Sequence, residues 1–395
     1  MVLPEQDLVN KHVPDHASIK TVKLKKALYG LVNSPRLWFQ SLTASLQEIG
    51  FNQTHSDPCL WTKSKDNEVV GAIAFFVDDC AVTAPASEIN ELKSALQRRY
   101  RMTDQGPITW FVGVRVHYDI TRGFLSLSQA SAVTKLLELH QMADCKIVST
   151  PCTGTLVKTD TVDNSMKGKP YRALVGSLLW LLYTRPDIAF AVNQLTRHVQ
   201  NPSNEHWTAA VRVLKYLRGT ANFGLEYSRA GGTLVGYSDA DFASDVNTRR
   251  STSGFVYLLN GAAISWKSKL QPSVSLSTCE AELYALALAA QEGIWLRRLV
   301  SELDMPCRDQ TVVLHEDNQG TIALLQNARF SHRTKHVDVK YFFIRDHLAN
   351  RSFAITYCPT EHIFADIFTK PLERVIFQRL RSKLGLKDLT GAFKG

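Results

Sequence analysis

At 395 residues the chain is long enough for two or three domains, and its 45% hydrophobic and 21% charged content lies near the average of soluble globular chains. A wholly disordered or fibrous chain is therefore excluded, and the longest apolar stretches, near 69–77 and 173–183, are too short to span a bilayer. The 46 basic and 37 acidic residues give +9, and from Arg329 onward 13 Lys and Arg against 6 Asp and Glu carry +7 of it, so a polyanion such as nucleic acid is a reasonable partner. No basic region followed by an apolar one opens the sequence, and the seven scattered cysteines contain no Cys-x-x-Cys. The expectation is a protein of a reducing compartment, with no membrane partner and neither a disulfide framework nor a zinc ribbon.

Taken in chain order, 34–49 and 87–100 carry apolar residues at helical spacing, the second with Ser87 as its cap. Between them, 68–85 reads as strand, turn, strand: 69–77 is rich in β-formers, Asp78 and Asp79 interrupt it, and 80–83 is apolar again. Polar residues bracketed by Pro151 and Pro170 mark a linker over 151–170, and Gly231-Gly232 marks a second break. Between the breaks, 171–227 reads as mostly helical and holds few acids.

After the second break, 233–241 is a strand that delivers acids at its far end. Strands at 254–259 and 262–267 flank Asn260-Gly261, a dipeptide suited to a type I′ turn because both residues accept positive φ. A long helix over 277–303 opens with the capping-box pattern Ser277-Thr-Cys-Glu280. The remaining elements are a buried strand at 311–316, a short helix from 318, a basic helix over 336–348, a strand at 353–358 and a helical stretch that begins at 365–369. This order implies a mixed sheet with helices packed on it.

Four acids then come from four different elements: Asp239 from the first strand, Glu282 from the long helix, Asp317 from a strand end and Asp366 from a late helical start. On one mixed sheet their carboxylates can converge, and converging carboxylates cannot all stay ionised without cations between them. Hard oxygen ligands with room for water and phosphate suit Mg²⁺, and two such ions about 4 Å apart would activate water and stabilise the leaving oxygen in phosphodiester cleavage. The competing reading makes each acid a solvated strand or helix end.

The stretches Gly236-Tyr-Ser-Asp-Ala-Asp-Phe242, Ser275-Leu-Ser-Thr-Cys-Glu-Ala-Glu-Leu-Tyr-Ala285, His315-Glu-Asp-Asn-Gln-Gly320, Arg333-Thr-Lys-His-Val-Asp338 and Ala365-Asp-Ile-Phe-Thr-Lys-Pro-Leu372 resemble the ribonuclease H domain of copia-type long-terminal-repeat retrotransposons. Upstream, Leu24-Lys-Lys-Ala-Leu-Tyr-Gly-Leu31, Ser34-Pro-Arg-Leu-Trp38, Phe76-Val-Asp-Asp79, Tyr171-Arg-Ala-Leu-Val-Gly-Ser177 and Thr184-Arg-Pro-Asp-Ile-Ala189 resemble the reverse transcriptase of the same elements and the segment that follows it. The resemblance covers nearly all of 23–386. It implies a multi-domain α+β and α/β chain: a partial polymerase palm and thumb over 1–150, a linker over 151–170, a helical connection over 171–230, and an RNase H-like mixed sheet flanked by helices over 231–395.

The same resemblance implies Asp239, Glu282, Asp317 and Asp366 as catalytic, metal-binding acids, with Glu282 preferred to Glu280 on its Glu-Leu-x-Ala context and Asp241 supporting. Two Mg²⁺ ions are the implied cofactors, with Mn²⁺ able to replace them. Asp78 and Asp79 are a polymerase-like remnant, and Arg333, Lys335, Lys340, Arg379 and Lys383 a phosphate-binding surface. The implied reaction is hydrolysis of RNA in an RNA–DNA hybrid, the 2′-hydroxyl marking the strand that is cut. The implied setting is a cytoplasmic retrotransposon particle or the nucleus, beside other Pol or Gag products. His332 and His336 read as surface or substrate contacts, and His362, four before Asp366, as a residue that helps product release.

The pattern departs upstream. The family's polymerase site takes another aspartate from a strand well before the Lys-Lys-Ala-Leu-Tyr-Gly motif, whereas Glu5, Asp7 and Asp15 are the acids before Lys25 and none lies in a β-forming run. The expectation is a reverse transcriptase portion without its N-terminal half and without DNA synthesis. Trp110-Phe-Val-Gly113 is a smaller departure. A catalytically inactive relic that only holds nucleic acid is the alternative.

Overall fold

The computed structural model describes residues 27–28, 30–158, 163–229, 232–326 and 338–392. These fall into two units, one of the described residues up to Asn52 with Ala84–Met102, the other of Gln53–Thr83 with everything from Thr103 onward. In the smaller unit, helix α1 (Ser34–Glu48) buries Leu42 and Leu46, and helix α2 (Ala86–Arg99) buries Leu92 and Leu96. Each pair lies four apart and so shares one helical face. The two helices are tied by Tyr100, whose hydroxyl lies 2.7 Å from Ser45 Oγ and whose ring meets Trp38 edge-on at 5.1 Å. Helix α2 begins one residue before the expected Ser87 cap, with Pro85 at the cap position and no side-chain cap bond.

In the larger unit, β1 (Leu60–Lys65), β2 (Glu68–Phe76) and β3 (Asp79–Thr83) pair antiparallel, and Phe76 opposite Asp79 closes the turn through Val77, at φ 59°, and Asp78. The loop before β1 is held by the second half of a long helix described below. Trp295 Nε1 donates to the Ser56 carbonyl at 2.9 Å, and the Glu302 carboxylate accepts the amides of His55 and Ser56 at 2.9 and 3.1 Å.

A second antiparallel sheet joins β4 (Trp110–Phe111), β5 (Val114–Asp119), β6 (Phe124–Ser128), β7 (Phe223–Ser228) and a last strand at Leu386–Asp388, with β7 between β6 and the last strand. Helices α3 (Ala130–Leu139), α4 (Tyr171–Leu181), α5 (Ala189–Thr196) and α6 (Asn204–Gly219) lie between β6 and β7 in sequence. The segment expected to be mostly helical thus ends in a strand. The Thr184-Arg-Pro-Asp motif is packed inside it: the fully buried Arg185 grips Asp187 through two hydrogen bonds of 2.8 and 2.9 Å, and Tyr216 Oη donates to the same carboxylate at 2.5 Å. Burial would raise the Asp187 carboxyl, but the Arg185 guanidinium outweighs it and holds the group below its usual range.

The third sheet carries the acids. Strands β8 (Val235–Ala240), β9 (Thr252–Leu259), β10 (Ala262–Leu270), β11 (Val312–Glu316) and β12 (Phe353–Tyr357) lie in the order β10-β9-β8-β11-β12. The first three are antiparallel, and β8, β11 and β12 are parallel. Asn260 and Gly261 turn β9 into β10 at φ of 54° and 86°, as their residue types predict. Helix α7 (Thr278–Glu302), capped by Ser277 Oγ, packs on the face formed by Phe255 and Tyr257. Gly236 and Gly293 make room for the Tyr257 ring, whose hydroxyl donates to the Ala289 carbonyl at 2.7 Å. Val256 points to the opposite face and joins the core of α4, α5 and α6. Both faces being covered explains why β9 is buried almost throughout. This core, and the pairing of β7 with β6 and with the last strand, cross the boundaries expected at 150, 170 and 230.

Helices α8 (Gln319–Gln326), α9 (Asp338–Ala349) and α10 (Arg374–Lys383) complete the unit, and the last strand is β13. The stretch expected to be helical from 365 is a 3₁₀ turn, Phe364–Phe368, and α-helix resumes only at Arg374. Pro371 accounts for the break, since it lacks an amide donor and disfavours α geometry at Lys370. Among the described residues no helix is long and apolar enough to cross a membrane.

Candidate active site

Strand β8 alternates so that Gly236, Ser238 and Ala240 are buried, and Asp239 lies near its end. There it is 3% exposed, as deeply buried as the core around it. Its partner across β9 is Gly254. A side chain at 254 would lie 2.7 Å from Thr369 Cγ2 and 2.8 Å from Phe368 Cβ, so glycine is what lets the 3₁₀ turn settle on the strand. Thr369 Oγ1 then donates to Asp239 Oδ2. Helix α7 contributes Glu282 one turn past its cap, and Asp317 follows directly on the end of β11. One carboxylate oxygen from each of Asp239, Glu282 and Asp317 lies within 4.8 Å of the others. Thr360 orients Asp317 by donating to Oδ2 at 2.6 Å.

Asp366 borders this cluster. Lys370, one helical turn on, places Nζ 2.9 Å from Asp366 Oδ1 and 3.8 Å from Asp239 Oδ2. Glu280 faces away to the helix start, where its carboxylate accepts the Leu276 amide at 2.7 Å. Asp241 accepts from Ser244 Oγ and the Thr252 amide, which fixes the turn after β8.

Glu316 is a member of this neighbourhood that the motifs did not single out. It is fully buried, with Ser238 Oγ donating to Oε2 at 2.9 Å and the Asn318 amide to Oε1 at 3.1 Å. A signal was available, since Val312, Leu314 and Glu316 alternate onto the buried face of β11. Lys370 and Thr369 were also missed, because their role depends on where the 3₁₀ turn lands.

Burial and mutual repulsion move the titrations of Glu282, Glu316, Asp366 and Asp239 in one direction. Burial, followed by the charges of Glu316, Asp239 and Asp317, pushes Glu282 well above the usual carboxylate range. Glu316 is pushed up to about 8, chiefly by burial. Asp366 rises to about 7 through burial and the Asp239 charge, against the pull of Lys370. Asp239 is raised by burial, with Lys370 and Thr369 opposing. The donor set fits a hard divalent cation: all oxygens, and Glu282 Oε2 is buried without a hydrogen-bond partner among the described residues.

The other expected residues lie elsewhere. Asp78 and Asp79 are exposed at the β2–β3 turn, and among the described residues no third Asp, Glu, His or Cys groups with them. Lys340 sits with Nζ 3.7 Å from the centre of the Tyr284 ring on α7. Arg379 is exposed and donates to the Glu361 carbonyl at 2.8 Å, and Lys383 is exposed at the end of α10. His362 is exposed, with Nε2 3.5 Å from Glu361 Oε1. Arg333, Lys335, His332 and His336 lie outside the described residues.

Residues 11–154 match the family model described as reverse transcriptase (RNA-dependent DNA polymerase). The chain is 36% identical to the retrovirus-related Pol polyprotein from transposon TNT 1-94 of Nicotiana tabacum, over 92% of this chain and 28% of that protein. It is 32% identical to the putative transposon Ty5-1 protein of Saccharomyces cerevisiae, over 69% of this chain and 89% of that one. The chain belongs to the copia-type Pol family of transposons. It spans about a quarter of the length of the plant Pol polyproteins it matches. Among solved structures, LC11-RNase H1 in complex with an RNA/DNA hybrid aligns with 35% of this Pol chain and 94% of its own, at 17% identity and a TM-score of 0.28. The copia-type chain thus joins a segment that matches the reverse transcriptase model to a five-stranded mixed sheet that carries the acidic cluster.

Proposed function

We propose that the chain is an RNA–DNA hybrid ribonuclease whose site is Asp239, Glu282, Asp317 and Asp366, working within a longer Pol protein. The observation that carries this is the convergence of carboxylate oxygens of Asp239, Glu282 and Asp317 within 4.8 Å of one another, with Glu282 also carrying a buried oxygen that has no hydrogen-bond partner among the described residues. Such a set is unfavourable as it stands and becomes favourable around Mg²⁺. Bound Mg²⁺ would supply an activated water and charge stabilisation at the leaving oxygen.

The chain's own groups do the positioning. Asp239, Glu282 and Asp317 would hold the metal, with Thr369 and Thr360 fixing the rotamers of Asp239 and Asp317 by hydrogen bonds. Glu316, held by Ser238 and the Asn318 amide, is a buried carboxyl behind the cluster that does not face solvent. Exposed Arg379 and Lys383, with Lys340 and the sequence neighbours Arg333 and Lys335, would track the phosphate backbone, a contact that positions a hybrid without reading its bases. On this reading the protein acts in the element's cytoplasmic particle or in the nucleus, beside Gag and other Pol products.

The test is cleavage of a labelled hybrid with Mg²⁺ by the purified chain and by Asp239→Asn, Glu282→Gln and Asp317→Asn. Each substitution is expected to lower the rate by about 10² or more, since each removes a metal ligand. Undiminished cleavage by the Glu282→Gln protein would remove Glu282 from the site, and the absence of cleavage by the unmodified chain would overturn the reading.

A further inference from the structure

The acidic set is not uniform around its centre. On one side Asp239, Glu282 and Asp317 face each other with no basic side chain bridging any two of them among the described contacts. On the other, Asp239 and Asp366 are already bridged by a cation, the Lys370 ammonium at 3.8 and 2.9 Å. Its placement is built in. Gly254 admits the 3₁₀ turn against β9, Thr369 anchors that turn to Asp239, and Lys370 follows directly. The Lys370 side chain is 37% exposed, so it can leave for solvent without unpacking the core.

We propose that Lys370 is a tethered cation that occupies the Asp239–Asp366 side of the site, so that a first divalent ion binds at Asp239, Glu282 and Asp317 with the ammonium still on Asp366, while a second must displace it. A divalent ion and an ammonium cannot share two carboxylates a few ångströms apart without strong repulsion. Lys370 would thereby keep the acidic pair neutralised in the metal-free chain and hold the second ion to weak, exchangeable binding. The inference rests on the metal-dependent reading above and deepens it, because it assigns unequal affinities to the two halves of one site.

The experiment is a Mn²⁺ titration of the full chain followed by electron paramagnetic resonance, comparing the unmodified protein with Lys370→Met, Lys370→Gln and Glu282→Gln. The unmodified chain should show a tight and a weak class. Both neutral Lys370 variants should strengthen the weak class by about tenfold or more, the effect of removing a unit positive charge that competes for the same two carboxylates, and strengthen the tight class by clearly less. In chelator, either variant should melt at a lower temperature than the unmodified chain, because Asp239 and Asp366 then face each other uncompensated. An unchanged weak class, or equal strengthening of both classes, would overturn the tethered-cation assignment while the metal site stands. No Mn²⁺ bound by the unmodified chain, or binding unaltered in Glu282→Gln, would instead sink the metal-dependent reading and this inference with it.

Discussion

Two sets of acids in one chain show how little a carboxylate's identity says about its chemistry. Asp78 and Asp79 lie exposed at a β-hairpin turn. Asp239, Glu282, Glu316 and Asp366 are each less than a tenth exposed and lie on elements that bring them into one neighbourhood. Burial and mutual repulsion push the second set upward together. Convergence in a dry place makes a cation necessary, and a turn residue lacks that pressure. The buried cluster therefore costs stability in return for a site that a metal can satisfy.

The largest test of that contrast sets function against stability at the same residue. Glu282→Gln should reduce hybrid cleavage by about 10² or more, yet it should raise the metal-free denaturation midpoint, by about 1 to 3 kcal/mol in stability terms, because the amide carries no charge into the buried site. Adding Mg²⁺ should stabilise the unmodified chain by about 2.7 kcal/mol at a hundredfold excess over its dissociation constant, and Glu282→Gln by much less. Asp78→Asn should leave cleavage and stability alike unchanged, within about 0.5 kcal/mol for an exposed site. Thermal melts in chelator and in Mg²⁺ decide it. A metal-free chain that loses stability on Glu282→Gln would contradict the account of the cluster as strained.

What could be read before the structure follows the same division between local and assembled. The strand that carries Asp239, the Asn260-Gly261 turn and the Ser277 cap depend on neighbours in sequence, and each lies where the residue types place it. The sheet built from β4 to β7 and β13 was not legible, because β6 pairs with a strand about a hundred residues later and that strand with one near the chain end. Nothing local marks Phe223–Ser228 as the partner of both. In the site, the motif residues Asp239, Glu282 and Asp317 could be named from sequence, whereas Lys370 required knowing that Gly254 lets the 3₁₀ turn close against β9. Thr184-Arg-Pro-Asp is the reverse case. The motif was visible, but its physical content, a buried Arg185–Asp187 pair under Tyr216, belongs to the packing.

A smaller effect concerns pH. Groups whose folded pKa exceeds the unfolded value hold extra protons in the folded state, so stability must fall as pH rises through the folded value. With Asp366 near 7 and Glu316 near 8, the metal-free chain should lose stability between pH 7 and 8, at up to about 1.4 kcal/mol per pH unit for each net proton. This window avoids the opposite contribution of His198. Burial and the neighbouring His206 lower that imidazole to about 4, so its effect is spent once pH exceeds its unfolded value. Urea midpoints in chelator should decline across the window, and the decline should flatten in Glu316→Gln and in saturating Mg²⁺. A midpoint that rises with pH in chelator would show that the acids are already ionised at neutrality.

The smallest expected effect lies on the surface, and it separates basic residues that the sequence alone could not rank. Arg379 and Lys383 are exposed on α10, whereas Lys340 is stacked on Tyr284. A side chain already committed to an aromatic face gives up that contact to reach a phosphate. If the exposed pair tracks a nucleic-acid backbone, hybrid affinity should fall with salt by about 0.7 to 0.9 log units per log unit of salt for each phosphate neutralised. Arg379→Ala and Lys383→Ala should each flatten that slope by nearly one such increment, and Lys340→Ala by less. The losses should be uniform across hybrid sequences, since phosphate contacts carry no base information. Fluorescence anisotropy over a salt series reads all three. Equal slopes in every variant would reduce these side chains to solvated helix surface, and a sequence-dependent loss would mean that they reach the base edges.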